Sequence, residues 1–284
     1  MVSSREQKVD KDNKNNQKPI NNDDGIIVLK NVNKKFGGNV VLKDISLDIQ
    51  KGKTTVIIGP SGCGKTVLIK HMIVLIRPTS GEVYFKGRRI DNLEEDELNQ
   101  IRTHYGFLFQ GGALFDSLTV EENIMFPLRQ FYNKNLDLTA ARQTAKAKLV
   151  LVGLDGFQGY YPSQLSGGQR KRVALARAIA LNPEVILYDE PTTGLDPIRA
   201  DVINELILKL QKELGLTSVA VTHDMTSAYK IGDRIIMLHN GKIHADGDAD
   251  HIRNHGDPVV QKFITGRLSR EDLSSLNTGV LSSI

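Results

Sequence analysis

This chain is short of the features that mark secreted, membrane-spanning and base-stacking proteins. Its 284 residues include one cysteine, no tryptophan and only 6% aromatic side chains. The lone thiol, Cys63, excludes an internal disulfide framework and suits a reducing compartment. Scarce aromatics leave few platforms on which bases could stack. No uninterrupted apolar run approaches the roughly 20 residues that a membrane-crossing helix needs. Nor does the polar opening, Met1 to Asp24, resemble a signal peptide. A net charge of +4 is mild: it would help at an anionic membrane face but does not argue for nucleic acid. What remains, 40% hydrophobic and 25% charged, is a globular composition with ample material for a core.

Residues 1–24 mix Lys, Asp and Asn with almost no apolar side chains, so they read as a disordered leader. From Ile26, "IIVLKNV" and "VLKDISLDI" alternate apolar and polar residues across Gly37-Gly38, the pattern of antiparallel strands. "KTTVIIG" (Lys53–Gly59) is a β-branched run suited to a buried parallel strand. A helical pattern from Lys65 to Ile76 follows, stopped by Pro78. Between about Asp91 and Leu154 the chain is mostly helix-like; strands return in "EVILYDE", "TSVAVTHD" and "RIIMLHNGKI" (Arg234–Ile243). This alternation predicts an α/β nucleotide-binding core with an antiparallel β subdomain and an α-helical subdomain. The boundaries read as a leader over 1–24, the core unit over 25–248 with its helical subdomain at about 111–172, and a C-terminal extension over 249–284.

Gly59-Pro60-Ser61-Gly62-Cys63-Gly64-Lys65-Thr66 carries the chemistry most clearly. It satisfies G-x-x-x-x-G-K-[ST] after a predicted strand and before a predicted helix. Glycines let successive N–H groups curl around phosphate oxygens at a helix N-terminus whose dipole favours anions. Lys65 is placed to reach the β- and γ-phosphates of ATP, and the Thr66 hydroxyl to bind Mg²⁺. Downstream, an apolar strand ends in Asp189 and Glu190. Asp189 suits a Mg²⁺ partner; Glu190 could polarise an attacking water, which favours hydrolysis over transfer to a small molecule. Gln110, after "YGFLF", could ligate Mg²⁺ or orient water, and His223, after "SVAVT", could contact a γ-phosphate.

Ser166-Gly167-Gly168-Gln169 raises a different question. The S-x-x-Q spacing is that of a helix-capping box. Two glycines at the cap would also let an anion approach the free N–H groups. The loop has no lysine–threonine pair of its own, so it suits the γ-phosphate of a nucleotide held by another P-loop.

Taken in order, the P-loop, Gln110, "LSGGQ", "VILYDE", "TTGLD" (Thr192–Asp196) and His223 resemble the ATPase subunits of ATP-binding-cassette transporters. The resemblance runs from Ile26 to about Gly247 and implies a P-loop, RecA-like core of the cassette type. It further implies two such subunits sandwiching two ATPs, each between the P-loop of one and the signature loop of the other. Phe36 stands where that family stacks an aromatic on adenine, and Val41 adds an apolar contact. A single ATPase unit without membrane spans implies a homodimer on the cytoplasmic face of the inner membrane, docked on separate permease subunits. "FQGGALFDSLTVEENIMFPLRQ" (Phe109–Gln130), with Asp116-Ser117 after "LF", is similar to the Mce-associated ATPases, in particular those of Mla phospholipid transport in Gram-negative bacteria. That likeness implies an MCE lipid-binding protein and a small STAS-domain partner, with lipid moving between inner and outer membrane.

Rival readings keep the ATPase and change the cargo to an amino acid, metal or lipopolysaccharide, or make the protein a soluble cassette acting on DNA or ribosomes. The latter carry a long coiled coil or a second cassette, and neither is present, so no nucleic-acid partner is expected. "RKR" (Arg170–Arg172) reads as a solvated helix face, and His244, His251 and His255 as surface histidines rather than metal ligands. The tail from Phe263 has irregular apolar spacing compatible with docking on a second protomer.

Overall fold

Burial alternates along the second strand, whereas the first buries Ile26 to Leu29 without a break. In the computed structural model, which describes residues 25–266, β1 (Gly25–Phe36) and β2 (Asn39–Gln50) pair antiparallel around Gly37-Gly38, with Leu29 opposite Leu47 and Phe36 opposite Asn39. The chain continues through β3 (Thr54–Ile58), α1 (Lys65–Met72), β4 (Ser80–Phe85) and the short β5 (Arg88–Arg89). Then come α2 (Glu95–Arg102), β6 (Tyr105–Leu108), α3 (Val120–Tyr132), α4 (Leu138–Leu151) and α5 (Gly167–Ala178). The remainder is β7 (Val185–Asp189), α6 (Pro197–Leu214), β8 (Thr217–Val221), α7 (Met225–Ile231), β9 (Arg234–His239), β10 (Lys242–Gly247), α8 (Ala249–Arg253) and α9 (Pro258–Thr265).

Two sheets result. One is antiparallel, in the order β2-β1-β4-β5; the other runs β10-β9-β3-β8-β7-β6, parallel throughout except for β10. The parallel strands are buried on both faces, as their unbroken apolar runs require. Val56, Ile58, Ile186 and Tyr188 face one core with α3 to α7, while Ile57, Leu187, Val221 and Leu238 face another with α1 and the antiparallel sheet.

Two expectations are corrected. The first helix stops at Met72 rather than Ile76. Val74, at φ +50°, closes it: its N–H donates to His71 O (3.0 Å) while that of Leu75 donates to Lys70 O (2.9 Å). This is a Schellman ending built without its usual glycine, so the stop signal was hidden. The run Arg234–Ile243 is not one strand but the hairpin of β9 and β10, turning at Asn240-Gly241 with φ +49° and +78°. Residues 1–24 and the tail's apolar positions from Leu268 onward lie outside the described residues.

Candidate nucleotide site

Neighbouring parallel strands deliver the chemistry to one edge. β3, β8, β7 and β6 lie side by side, and Gly59, His223, Glu190 and Gln110 follow their C-terminal ends in that order. Open α/β sheets hold their ligands at such an edge.

The turn after β3 is one that only glycine can make. Gly59 has φ +146°, and a Cβ there would lie 2.1 Å from Leu238 O. Gly62 and Gly64 have φ +79° and +105°, and a Cβ on Gly64 would come 3.2 Å from Val41 Cγ1, so Val41 lies against this turn. Gly64 caps α1 without a side-chain hydrogen bond, and the first turn contains no acid. Its N–H groups are therefore free to meet an anion at the positive end of the helix. Lys65, nearly buried, folds back over the turn and donates to Gly59 O (2.8 Å) and Pro60 O (3.0 Å). Ser61 is exposed at the crest, and burial pushes the Cys63 thiol up, partly opposed by the Lys65 ammonium.

Across from it, the Thr66 hydroxyl donates to Asp189 Oδ1 at 2.8 Å. Burial raises the Asp189 carboxyl above its ordinary range, with the Thr66 hydrogen bond opposing. A hydroxyl and a carboxylate oxygen in contact beside free N–H groups are the hard donors that Mg²⁺ takes, so the residues present fit that ion. Glu190 is held in the left-handed region, φ +51°, an uncommon conformation for a non-glycine residue. Its N–H donates to Val221 O (2.9 Å), and its Oε2 accepts from Thr193 Oγ1 (3.0 Å) and lies 2.9 Å from His223 Nδ1.

Gln110 exposes its side chain, and it is the main-chain oxygen that the structure uses, accepting from Lys171 Nζ. Here a further expectation holds only in part, because Lys171, in the middle of Arg170–Arg172, is buried. Arg170 is exposed and donates to Leu165 O (2.7 Å), and Arg172 is half-buried and donates to Gly153 O (3.1 Å). Sequence reading also missed Arg177, which donates to Gly112 O and Ala113 O (2.7 Å each), and Asn123, whose amide binds Phe115 N (2.8 Å) and Phe115 O (3.0 Å). A lysine standing four residues before Leu175 and three before Ala174, in the apolar stripe of α5, was the available signal.

Ser166 caps α5 as its spacing predicts. Its Oγ accepts from Gln169 N (3.3 Å) and its N–H donates to Gln169 Oε1 (2.8 Å). Beside it is a small cavity lined by Ser166, Gly168, Gln169, Arg172, Arg199 and Val202. No hydrogen bond among the described residues joins this loop to the Gly59–Thr66 turn. Phe36 also stands apart, half exposed at the end of β1 with Lys34 Nζ 4.9 Å from its ring centroid. Away from this edge, His244 Nε2 lies 3.2 Å from Asp257 Oδ2, and no group of three or more His, Cys, Asp or Glu among the described residues is arranged to hold a metal.

An anion cradle facing a hydroxyl–carboxylate pair, with a second carboxylate poised beside it, defines a nucleoside-triphosphate hydrolase of the P-loop class. The family model described as "ABC transporter" matches residues 42–193. The chain is 41% identical over 241 residues, 85% of its length and 90% of the relative's, to the intermembrane phospholipid transport system ATP-binding protein MlaF of Haemophilus influenzae. It is 39% identical over 241 residues, covering 69% of the relative, to a protein of Mycobacterium leprae described as "Probable ribonucleotide transport ATP-binding protein mkl". Among solved structures, a dimeric post-hydrolysis state of the ATP-binding cassette MJ0796, bound to ADP and Pi, superposes with a TM-score of 0.72 at 40% identity, covering 78% of this chain and 98% of that one. The chain belongs to the ABC transporter family, as its ATP-hydrolysing, nucleotide-binding subunit.

Proposed function

We propose that this ATPase works as a homodimer on the cytoplasmic face of the inner membrane, docked on separate permease subunits, and powers phospholipid transport between inner and outer membrane. An MCE lipid-binding protein and a small STAS-domain protein complete the assembly. The similarity to MlaF, spanning 90% of that relative, is the observation that carries the cargo. The name of the Mycobacterium leprae relative points to another cargo on the same engine, which makes cargo the part to test. Among the described residues no helix is long and apolar enough to cross a membrane, in keeping with a peripheral subunit.

The working unit spans about residues 25–248, with a helical subdomain at about 111–172 carrying the Ser166 loop. Gly59 to Thr66 wrap the phosphates with main-chain N–H groups, and Lys65 exchanges the carbonyls of Gly59 and Pro60 for phosphate oxygens. Thr66 and Asp189, with Gln110 turned inward, would hold Mg²⁺, which when bound neutralises charge on the phosphates. Glu190 accepts a proton from the attacking water, and His223 leaves Glu190 Oε2 to meet the γ-phosphate. Phe36 and Val41 receive the base. The Ser166–Gln169 loop of a second copy closes over the γ-phosphate with its own helix N-terminus.

Purification from host membranes in mild detergent, followed by mass spectrometry of proteins and bound lipids, tests the cargo. A permease, an MCE protein and enriched phospholipid are expected. A permease for another solute, with lipid at background level, overturns the phospholipid reading and leaves the ATPase standing.

A further inference from the structure

Helix α5 opens at the Ser166 loop and, within its first two turns, buries a cation. Lys171 is only 6% exposed. Burying an ammonium is costly unless it is well paired. Its partners are two main-chain carbonyls far apart in sequence, Gln110 O and Glu190 O, the latter at 3.4 Å. Burial pulls the ammonium below its ordinary range, while the Glu190 and Asp189 carboxylates push it back up. Further along the same helix, Arg177 grips Gly112 O and Ala113 O (2.7 Å each), and its guanidinium sits 5.8 Å from the Phe115 ring centroid. One helix therefore holds the 110–115 loop through two cations, and one of those cations also reaches the main chain of Glu190. That main chain needs support, because φ at Glu190 is +51°. The hydrogen bonds described there come from Thr193 N to the same carbonyl (3.3 Å) and from Glu190 N to Val221 O (2.9 Å).

We propose that Lys171 is a positioning residue for hydrolysis: it fixes the backbone of Glu190 and ties it to the Gln110 loop and to the helix that Ser166 opens. The carboxylate is aligned when these three elements are in register, so a change at the Gln110 loop or the Ser166 loop is transmitted to the reacting water. The proposal rests on the reading of Glu190 as the water-polarising group. A lysine that merely fills space would be replaced without kinetic consequence by a side chain of similar length.

The test uses the purified full-length chain and steady-state ATP hydrolysis, with melting temperature recorded alongside. Lys171→Met keeps the stem and removes the donor. Its kcat is expected to fall at least tenfold with KM for ATP within threefold of wild type, since the phosphate cradle is untouched. Lys171→Arg, which keeps charge and reach, is expected to recover kcat to within threefold. The double variant with Glu190→Gln should hydrolyse no more slowly than Glu190→Gln alone, as residues acting in one unit do. A Met variant within twofold of wild type overturns the proposal, as does an Arg variant no better than Met, or a loss confined to KM. Where the Met variant does not fold, Lys171→Gln is read instead; it is expected at least threefold below Arg, and equality with Arg overturns the proposal. Normal hydrolysis by Glu190→Gln removes the Glu190 reading and the proposal with it. An inactive Glu190→Gln beside a fully active Lys171→Met removes the proposal alone.

Discussion

In the turn that opens α1, glycine is demanded by the chain's own backbone; in the turn that opens α5, it is not. Gly59, Gly62 and Gly64 all have positive φ, and a Cβ on Gly59 would strike Leu238 O. Gly167 and Gly168 have ordinary dihedrals, and a Cβ on either would meet its nearest neighbour at 3.7 Å, a comfortable contact. The first turn also carries Lys65 and Thr66, whereas the second is closed by its own Ser166–Gln169 capping box. Glycine kept where the chain has no internal need of it leaves room for something from outside. This contrast supports the proposal that the first turn is a whole cradle and the second half of one.

The largest effect comes from breaking the complete half. Lys65→Met should lower ATP turnover on the order of 10²–10³-fold, the scale of losing one preorganised donor to transition-state charge. The fold should survive, because Lys65 bonds carbonyls of its own turn and α1 keeps its buried face of Leu68, Ile69 and Met72. Steady-state hydrolysis and a thermal melt measure the two quantities. Turnover within a few fold of wild type would mean that the lysine serves only to brace its own loop.

The same contrast explains what could be read in advance. The places of Gly59 to Thr66, Asp189, Glu190 and the Ser166 cap were legible because unbroken apolar strands and a capping spacing, each written in consecutive residues, set them at element ends. The hairpin at Asn240-Gly241 was missed although Asn-Gly is a strong turn signal, because Arg234–Ile243 was read as one strand. The end of α1 was not legible, because a valine takes the position that glycine usually marks. The burial of Lys171 had a signal, its place in the apolar stripe of α5, but the partners of Lys171, Arg177 and Asn123 did not: they are main-chain groups, which every residue possesses and no sequence pattern marks. Lys171 reaches across 61 positions to Gln110 O, and Arg177 across 65 to Gly112 O. A run such as Arg170–Arg172 looks solvated until the fold shows which carbonyls lie opposite.

Of intermediate size is a paired alanine test. Gly62→Ala must place a side chain at φ +79° with nothing within 4 Å to clash, so its cost is backbone strain alone, about 1–2 kcal/mol. Stability and turnover should both fall. Gly167→Ala replaces a helical glycine of ordinary φ and should leave stability unchanged or raise it by about 0.5–1 kcal/mol. On the proposed reading, in which a phosphate from a second copy approaches where the added methyl would stand, turnover should nonetheless fall severalfold. Denaturant melts with parallel hydrolysis assays separate the variants. If Gly167→Ala is both stable and fully active, the space belongs to no ligand and the second turn is an ordinary helix start.

The smallest effect sharpens the comparison at the caps. Gly64 begins α1 with no side-chain bond, while Ser166 satisfies Gln169 N–H and receives Gln169 Oε1 in return. Ser166→Ala should cost about 1 kcal/mol, and Ser166→Gly only a few tenths, since glycine is a tolerable cap. In a domain of this size the alanine change amounts to a drop of roughly 2 °C in melting temperature. Activity should follow a different order. Both variants retain the helix N–H groups that would meet the phosphate and both lose one hydroxyl, so their turnover should fall by similar small factors. A drop that tracks the melting temperature instead would assign Ser166 to helix capping alone. Equal losses of turnover with unequal losses of stability would show that its oxygen also faces the nucleotide of a second copy.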